Sequence, residues 1–347
     1  MADFGLKTSE EPLLDVEGAS DASMSLSQHT LTVSASGIIS WQPAAGGTCR
    51  PAAGSCQLVD LLSCHSLDAP PRLVLTAYPR KSATATTRKR DETKLPCASM
   101  EQAEEAVAAI RRALPALAEK RVLVLINPFG GGGKAQGVWR KLEPLLAHTG
   151  LAFDTRVTTH AGHARAMMAD LAVDEYAAVC TVSGDGLVHE VVNGLLARPD
   201  GRDVLTRLPL APMPGGTSNA LWRSIVHRAK EPADLIGAAF VLAKGVAAPL
   251  DLWEYTRPAT ATGPAEPLGH SFLSLSWGLI ADVDLESEVL RFAGSLRLVL
   301  YALWRIAMLR RYDATFEYLD AQSGEWATIE ASKCARPPPA HRPRNAR

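Results

Sequence analysis

No apolar stretch in this chain is long enough to cross a bilayer, which takes about 20 consecutive apolar residues. The best candidate, 296–309, has 14 residues and carries Arg297 and Arg305. Its near-continuous apolar character predicts a buried helix, with the wall of an acyl-chain tunnel as the sharper alternative. Charge of one sign is lacking too: 36 Lys and Arg against 37 Asp and Glu leave a net charge of −1. No broad electrostatic pull toward nucleic acid or an anionic membrane follows. There are six cysteines and no Cys-x-x-Cys pair, which argues against a disulfide framework or a zinc site and suits a reducing compartment. The acidic N-terminus lacks an apolar signal segment, so a cytoplasmic location is expected. No internal repeat is visible.

What is present is 347 residues at 47% apolar composition, enough for one large core or two domains. Residues 1–28 are rich in serine and acid and are expected to be disordered. Residues 29–97 read as a small β-rich module and linker. Strand-like runs at Leu31–Ser34, Gly37–Trp41 and Arg72–Tyr78 alternate there with Gly and Pro turns, and the charged, threonine-rich 81–94 reads as the linker. Ser99–Lys120 reads as a helix capped by Ser99.

Three glycine-rich turns carry the chemistry. The first follows the strand run Arg121–Ile126: Asn127-Pro128-Phe129, four glycines, then Lys134 and a helical pattern through Trp139, Leu142 and Leu146. Four glycines in a row are entropically unfavourable, so a loop that wraps phosphates with its own N–H groups explains them better than packing. Gly130, Gly132 and Ala135 also satisfy the loose dinucleotide fingerprint, with Asp154 near the ribose-contact spacing; Pro128 and Ala135 exclude a P-loop. The second turn, Ser183-Gly184-Asp185-Gly186, sits between the apolar strand run Tyr176–Val182 and a helical pattern at Leu187, Glu190, Val191 and Leu195. A carboxylate between glycines at a strand-to-helix turn lies where α/β sheets place their chemistry, so Asp185 is the first catalytic candidate; ordinary turn and capping chemistry is the plain alternative. The third, Pro214-Gly215-Gly216-Thr217-Ser218-Asn219, follows a proline-broken extended run. Together they predict one Rossmann-like parallel sheet with its loops gathered at the carboxyl edge around a nucleotide.

The order of these motifs, with Leu273-Ser-Leu-Ser-Trp-Gly-Leu-Ile-Ala-Asp-Val-Asp-Leu-Glu-Ser-Glu288 and the following Arg291 and Arg297, resembles the sphingosine kinases of the diacylglycerol kinase catalytic superfamily over residues 120–320. The resemblance implies a nucleotide-binding domain over 98–249, a mainly β lipid-binding domain over 250–330 and a Pro/Arg-rich tail over 331–347. It implies transfer of the γ-phosphate of ATP, with Mg2+, to the primary hydroxyl of a sphingoid base. Asp185 is then the base. Asn127, Pro128, Phe129, Thr158, Thr159, His160, Ala161, Gly162, Glu190, Gly216, Thr217, Ser218, Arg291 and Arg297 face the nucleotide. Ser183, Gly184, Gly186, Ser274 and Asp284 face the lipid, Asp284 pairing with its ammonium group. No protein metal ligand is assigned. Peripheral, reversible association with an intracellular or plasma membrane and a possible homodimer come with the resemblance, whereas a nucleic-acid partner does not. The N-terminal module bears a thin likeness to the pleckstrin-homology-type extensions of related lipid kinases.

The chain also departs from the pattern. Phe129 stands where a basic residue is common, Ser218 where glycine is, and the family's closing Asp-Gly-Glu block is missing. The lipid domain is therefore expected to be unfinished and activity impaired. A nucleotide or lipid binder without turnover, a diacylglycerol or ceramide kinase, and a nicotinamide-dependent oxidoreductase built on Gly130, Gly132 and Ala135 remain as alternatives.

Overall fold

The computed structural model describes residues 21–44, 51–82, 87–114, 121–216, 219–244, 246–257, 259, 264, 266–287, 289–290, 296–308, 312, 314–320 and 323–331. It divides into two compact units, Met1–Phe272 and Leu273–Arg347.

The first unit opens with seven antiparallel strands. β1 (Ala22–Ser25), β2 (His29–Val33), β3 (Ile38–Pro43) and β4 (Gly54–Gln57) form one sheet in sequence order, and β5 (Leu61–Leu67), β6 (Arg72–Ala77) and β7 (Asp91–Pro96) form another. Alternation puts Leu31, Ile39, Leu73, Leu75 and Leu95 inside, where they pack on Ala103, Ala106, Val107 and Ile110 of helix α1 (Met100–Ala113). Ser99 caps α1 by accepting from the Gln102 N–H at 3.2 Å, and Gln102 reaches back to the Ala98 N–H. Two expectations are corrected here. β1 lies inside the stretch read as disordered, held by four residue pairs to β2, and most of the supposed linker's second half is β7, pinned by the buried Leu95. Residues 1–20 and 332–347, expected to be tails, lie outside the described residues.

From residue 121 onward strands and helices alternate: β8 (Arg121–Ile126), a tight turn α2 (Gly130–Gly133), α3 (Ala135–Leu146), β9 (Ala152–Val157), α4 (His163–Ala169), β10 (Tyr176–Ser183), α5 (Asp185–Leu196), α6 (Gly201–Arg207), β11 (Leu210–Pro214), α7 (Ala220–Arg228) and α8 (Leu235–Lys244). β8–β11 form a parallel sheet in the order β11-β10-β8-β9. Val122, Val124 and Ile126 face α3 and α8; Leu123 and Leu125 face α4 and α5. This doubly wound sandwich matches the expected parallel-sheet class. Pro212 and Pro214 are tolerated because β11 is an edge strand.

The module is not tethered loosely to this sandwich. Leu62 and Tyr78 belong to the same core as Phe240 and Trp139. Arg88, 8% exposed, bonds both oxygens of Glu231 at 2.7 and 2.9 Å, Asp60 at 2.7 Å and the Tyr78 carbonyl at 2.7 Å. The Lys244 ammonium donates to the Leu58 and Leu61 carbonyls, both at 2.8 Å. Burial, followed by the Arg88 charge, pushes the Lys244 amine down to about 8 from 10.5. Between those values the folded chain binds fewer protons at this site than the unfolded chain, so stability from this group rises with pH across the window and is flat, at its lowest, below about 8, where both states carry the proton. The stability difference between wild type and Lys244→Met is therefore expected to shift in favour of wild type from below pH 8 to near pH 10.5, read by denaturant unfolding. A pH-independent difference would show that the amine titrates normally.

A hairpin of β12 (Trp253–Arg257) and β13 (Glu266–Ser271) closes the first unit. The second unit holds α9 (Leu279–Glu286), α10 (Leu296–Met308) and a hairpin of β14 (Ala314–Leu319) and β15 (Trp326–Ala331). Two expectations change. Within the stretch expected to be mainly β, the acid-rich segment is helical over Leu279–Glu286, where the i, i+4 pair Asp282 and Glu286 grips Arg305 of α10. α10 is a helix as expected but not a buried one: Leu303 and Trp304 are 61% and 49% exposed. Among the described residues no helix is long and apolar enough to cross a membrane.

Candidate active site

The parallel register brings four loops to one edge. Ile126 pairs with Val157 and Val182, and Ser183 pairs with Pro214, so the segments starting at Asn127, Thr158, Gly184 and Gly215 leave the sheet side by side. The chain runs from β8 outward to β9 and then back across to β10. The strand order therefore reverses between β8 and β10, where α/β sheets form their ligand crevice.

The glycine turns touch one another there. A Cβ on Gly130 would stand 2.6 Å from the Ser183 hydroxyl, and one on Gly131, at φ +59°, 2.5 Å from the Gly215 carbonyl. A Cβ on Gly216 would lie 2.4 Å from the Gly184 Cα. These four glycines (Gly130, Gly131, Gly184 and Gly216) are thus loop-to-loop contacts, a packing role that sequence reasoning overlooked in giving Gly130, Gly131 and Gly216 to the nucleotide and Gly184 to the lipid. Gly132, Gly162 and Gly186 differ, since a Cβ on any of them meets no atom within 4 Å. Gly132 and Gly162 have positive φ. Gly186 has an ordinary helical backbone, so neither strain nor crowding accounts for it.

Asp185 is half-buried at the first turn of α5. Its Oδ2 accepts the Ala220 N–H at 2.8 Å and its Oδ1 the Leu221 N–H at 3.1 Å. The carboxylate thus caps α7, two donors that helix would otherwise leave unmet. Each oxygen keeps a second lone pair. Glu190 acts similarly one loop away, its Oε2 accepting the Ala164 N–H at 3.2 Å at the start of α4. His163 Nδ1 takes the Thr159 N–H at 3.1 Å and stacks on His160 at 4.9 Å, which fixes the 158–162 loop. Thr158 is buried, its N–H on the Ile126 carbonyl at 2.9 Å; Ala161 is exposed beside it. Asn127 Oδ1 accepts the Phe129 N–H at 3.0 Å, leaving the Phe129 ring 70% exposed next to Pro128.

The structure thus gathers Asn127, Pro128, Phe129, Thr158, Thr159, His160, Ala161, Gly162, Ser183, Gly184, Asp185, Gly186, Glu190 and Gly216 on the loops and helix starts of one sheet edge. Thr217, Ser218 and Arg291 lie outside the described residues. Ser274, Asp284 and Arg297 belong to the second unit: Ser274 and Asp284 are exposed, Asp284 on α9 and Arg297 on α10.

Sequence reasoning passed over Asn193. Its side chain donates to the His189 and His270 carbonyls, each at 2.9 Å, and accepts the His270 N–H at 2.8 Å, which ties α5 to β13. Asp154, the ribose candidate of the dinucleotide reading, is committed elsewhere. It sits mid-strand on β9, accepting from Tyr176 Oη at 2.6 Å and pairing with Arg156 at 2.8 Å. The Tyr176 hydroxyl, then Arg156, hold its carboxyl below the usual range.

Residues 121–255 match the model of the diacylglycerol kinase catalytic domain. Human sphingosine kinase 2 is 38% identical over 227 residues, which are 64% of this chain and 32% of that protein. Human sphingosine kinase 1 is 40% identical over 57% of this chain and 52% of its own length, and Arabidopsis thaliana sphingosine kinase 2 is 35% identical over 59% and 41%. The chain spans about a third to a half of these relatives. The glycine-turn edge, Asp185 and Asn193 fall inside the matched segment, while His270, to which Asn193 bonds, lies beyond it.

Proposed function

We propose that this chain is a lipid kinase that moves the γ-phosphate of ATP to the primary hydroxyl of a sphingoid base. The observation that carries the reading is the convergence of the glycine turns around Asp185 at the reversal of strand order. Phosphoryl transfer asks for alignment and charge neutralisation more than covalent help. Open backbone at Gly132, Gly162 and Gly186, with the exposed Lys134 at the start of α3, fits a polyphosphate. Among the described residues no cluster of three or more acid, His or Cys ligands is present. Mg2+ suits such a site because phosphates and water supply most of its ligands, and when bound it neutralises phosphate charge. Asp185 then accepts the hydroxyl proton, held in one plane by the α7 N–H groups. Thr217, Ser218, Arg291 and Arg297 complete the assignment to the nucleotide, and Ser274 and Asp284 that to the lipid, Asp284 for its ammonium.

The relatives named sphingosine kinases support the substrate class. Membrane contact and a homodimer belong to the same proposal. A second reading, a nucleotide or lipid binder without turnover, is favoured by one fact: both Asp185 oxygens are already bonded to α7. Transfer of labelled phosphate from ATP to sphingosine, with diacylglycerol as control, separates them. Labelled sphingosine and unlabelled diacylglycerol are expected. Nucleotide binding without labelling selects the binder, and equal labelling of both lipids removes the role given to Asp284.

A further inference from the structure

The outer face of the β5–β7 sheet does not look like a surface meant only for water or only for packing. Period-two alternation puts Ser63, His65 and Leu67 of β5, Val74 and Thr76 of β6 followed by Tyr78, and Arg90 ahead of β7 with its Glu92 and Lys94 on that face. The last turn of α3 and its exit cover part of it, and a cleft of 350 Å³ remains, walled on the far side by Pro144, Leu145 and His148.

Two features mark it as built. Ser63, Thr76 and Tyr78 are 5%, 7% and 5% exposed, and all three line the cleft. Beside them His65 Nδ1 is buried without a partner, and its ring stacks on His148 at 3.9 Å and 20°. Around this floor stand Arg90 and Lys94, both paired to Glu92. Burial, then the nearby His148 imidazole, depress the protonation of His65, with Lys94 and Arg111 acting the same way and Glu92 opposing. The cleft therefore offers hydroxyl and imidazole donors and two permanent cations against one carboxylate, and waits for negative charge.

We propose that this cleft, between the N-terminal module and the end of α3, binds a small phosphate-bearing ligand distinct from the nucleotide. A phosphate monoester supplies acceptors for the three hydroxyls and for His65, and competes with Glu92 for Arg90 and Lys94. Its charge favours the protonated form of His65, so affinity rises as pH falls below the ordinary histidine range.

The test uses the full chain with a saturating non-hydrolysable ATP analogue, so that the nucleotide edge is filled. Glycerol 3-phosphate is titrated by calorimetry, and vesicles of phosphatidylcholine with and without phosphatidic acid are tested by flotation. Saturable binding of glycerol 3-phosphate is expected, tighter at lower pH and about tenfold or more weaker in Lys94→Gln and His148→Gln, both exposed positions that leave the fold intact. Vesicle binding lost in the same variants identifies a lipid headgroup as the source, and vesicle binding that ignores them identifies a free phosphate ester. No binding once the analogue is present, or binding unchanged in both variants, overturns the proposal.

Discussion

Asp185→Asn is expected to lower phosphoryl transfer to sphingosine by about 10²–10⁴-fold, the range a positioned general base supplies. The asparagine oxygen still accepts one of the two α7 N–H groups now held at 2.8 and 3.1 Å, while its NH2 faces the other. One hydrogen bond at a half-buried position is lost, about 1 kcal/mol of stability. Activity and stability should thus separate: a small fall in melting temperature, retained nucleotide binding and near-complete loss of labelled product. If melting falls by that small amount and transfer persists, Asp185 is a helix cap and the base lies elsewhere. Alanine at this position removes both acceptors, so its extra loss of stability measures the cap alone.

Arg88→Ala carries the second large effect, and it falls on the fold. The guanidinium satisfies Glu231, Asp60 and the Tyr78 carbonyl and lies over the Phe240 ring at 4.1 Å. Without it two carboxylates from different halves of the unit face each other across a mostly dry contact, and Arg80, 2.9 Å from Glu231, answers only one. Breaking a buried ion pair from one side destabilises by about 3–5 kcal/mol, and that is the expected loss in denaturant unfolding. Arg88→Lys keeps the charge but not the planar fork, so an intermediate loss is expected. A change below about 1 kcal/mol for alanine would mean that the network is no stronger than a surface pair.

The parallel sheet, its helices and the position of Asp185 were legible because each is written locally. β-branched strand runs end abruptly in glycine, and amphipathic helices follow. What escaped the sequence depends on pairs far apart in the chain. Nothing near Asp185 says that its oxygens meet residues 35 and 36 positions later, and nothing near Asn193 announces His270. The same holds for Gly131 against Gly215, where a glycine read as a phosphate loop is also a spacer between loops. The supposed linker misled because Arg88 and Leu95 are single anchors in a polar stretch, and single anchors leave no periodicity. In 279–286 the run Leu-Ile-Ala-Asp-Val-Asp-Leu-Glu alternates like a strand at its end, but Asp282 and Glu286 come within reach of one arginine only in a helix, since a strand would hold them about 13 Å apart, and Arg305 bonds both.

The shared core of Leu62, Tyr78 and Phe240 has a consequence for how such a protein diversifies. A recruiting domain on a flexible leash can be exchanged by recombination at the leash, because neither side notices the change. Here the seam runs through interlocking side chains and a multi-pronged arginine, so a transplanted module would arrive without its socket. Its surface can drift, but its seat on α8 is inherited together with the enzyme-like half or not at all.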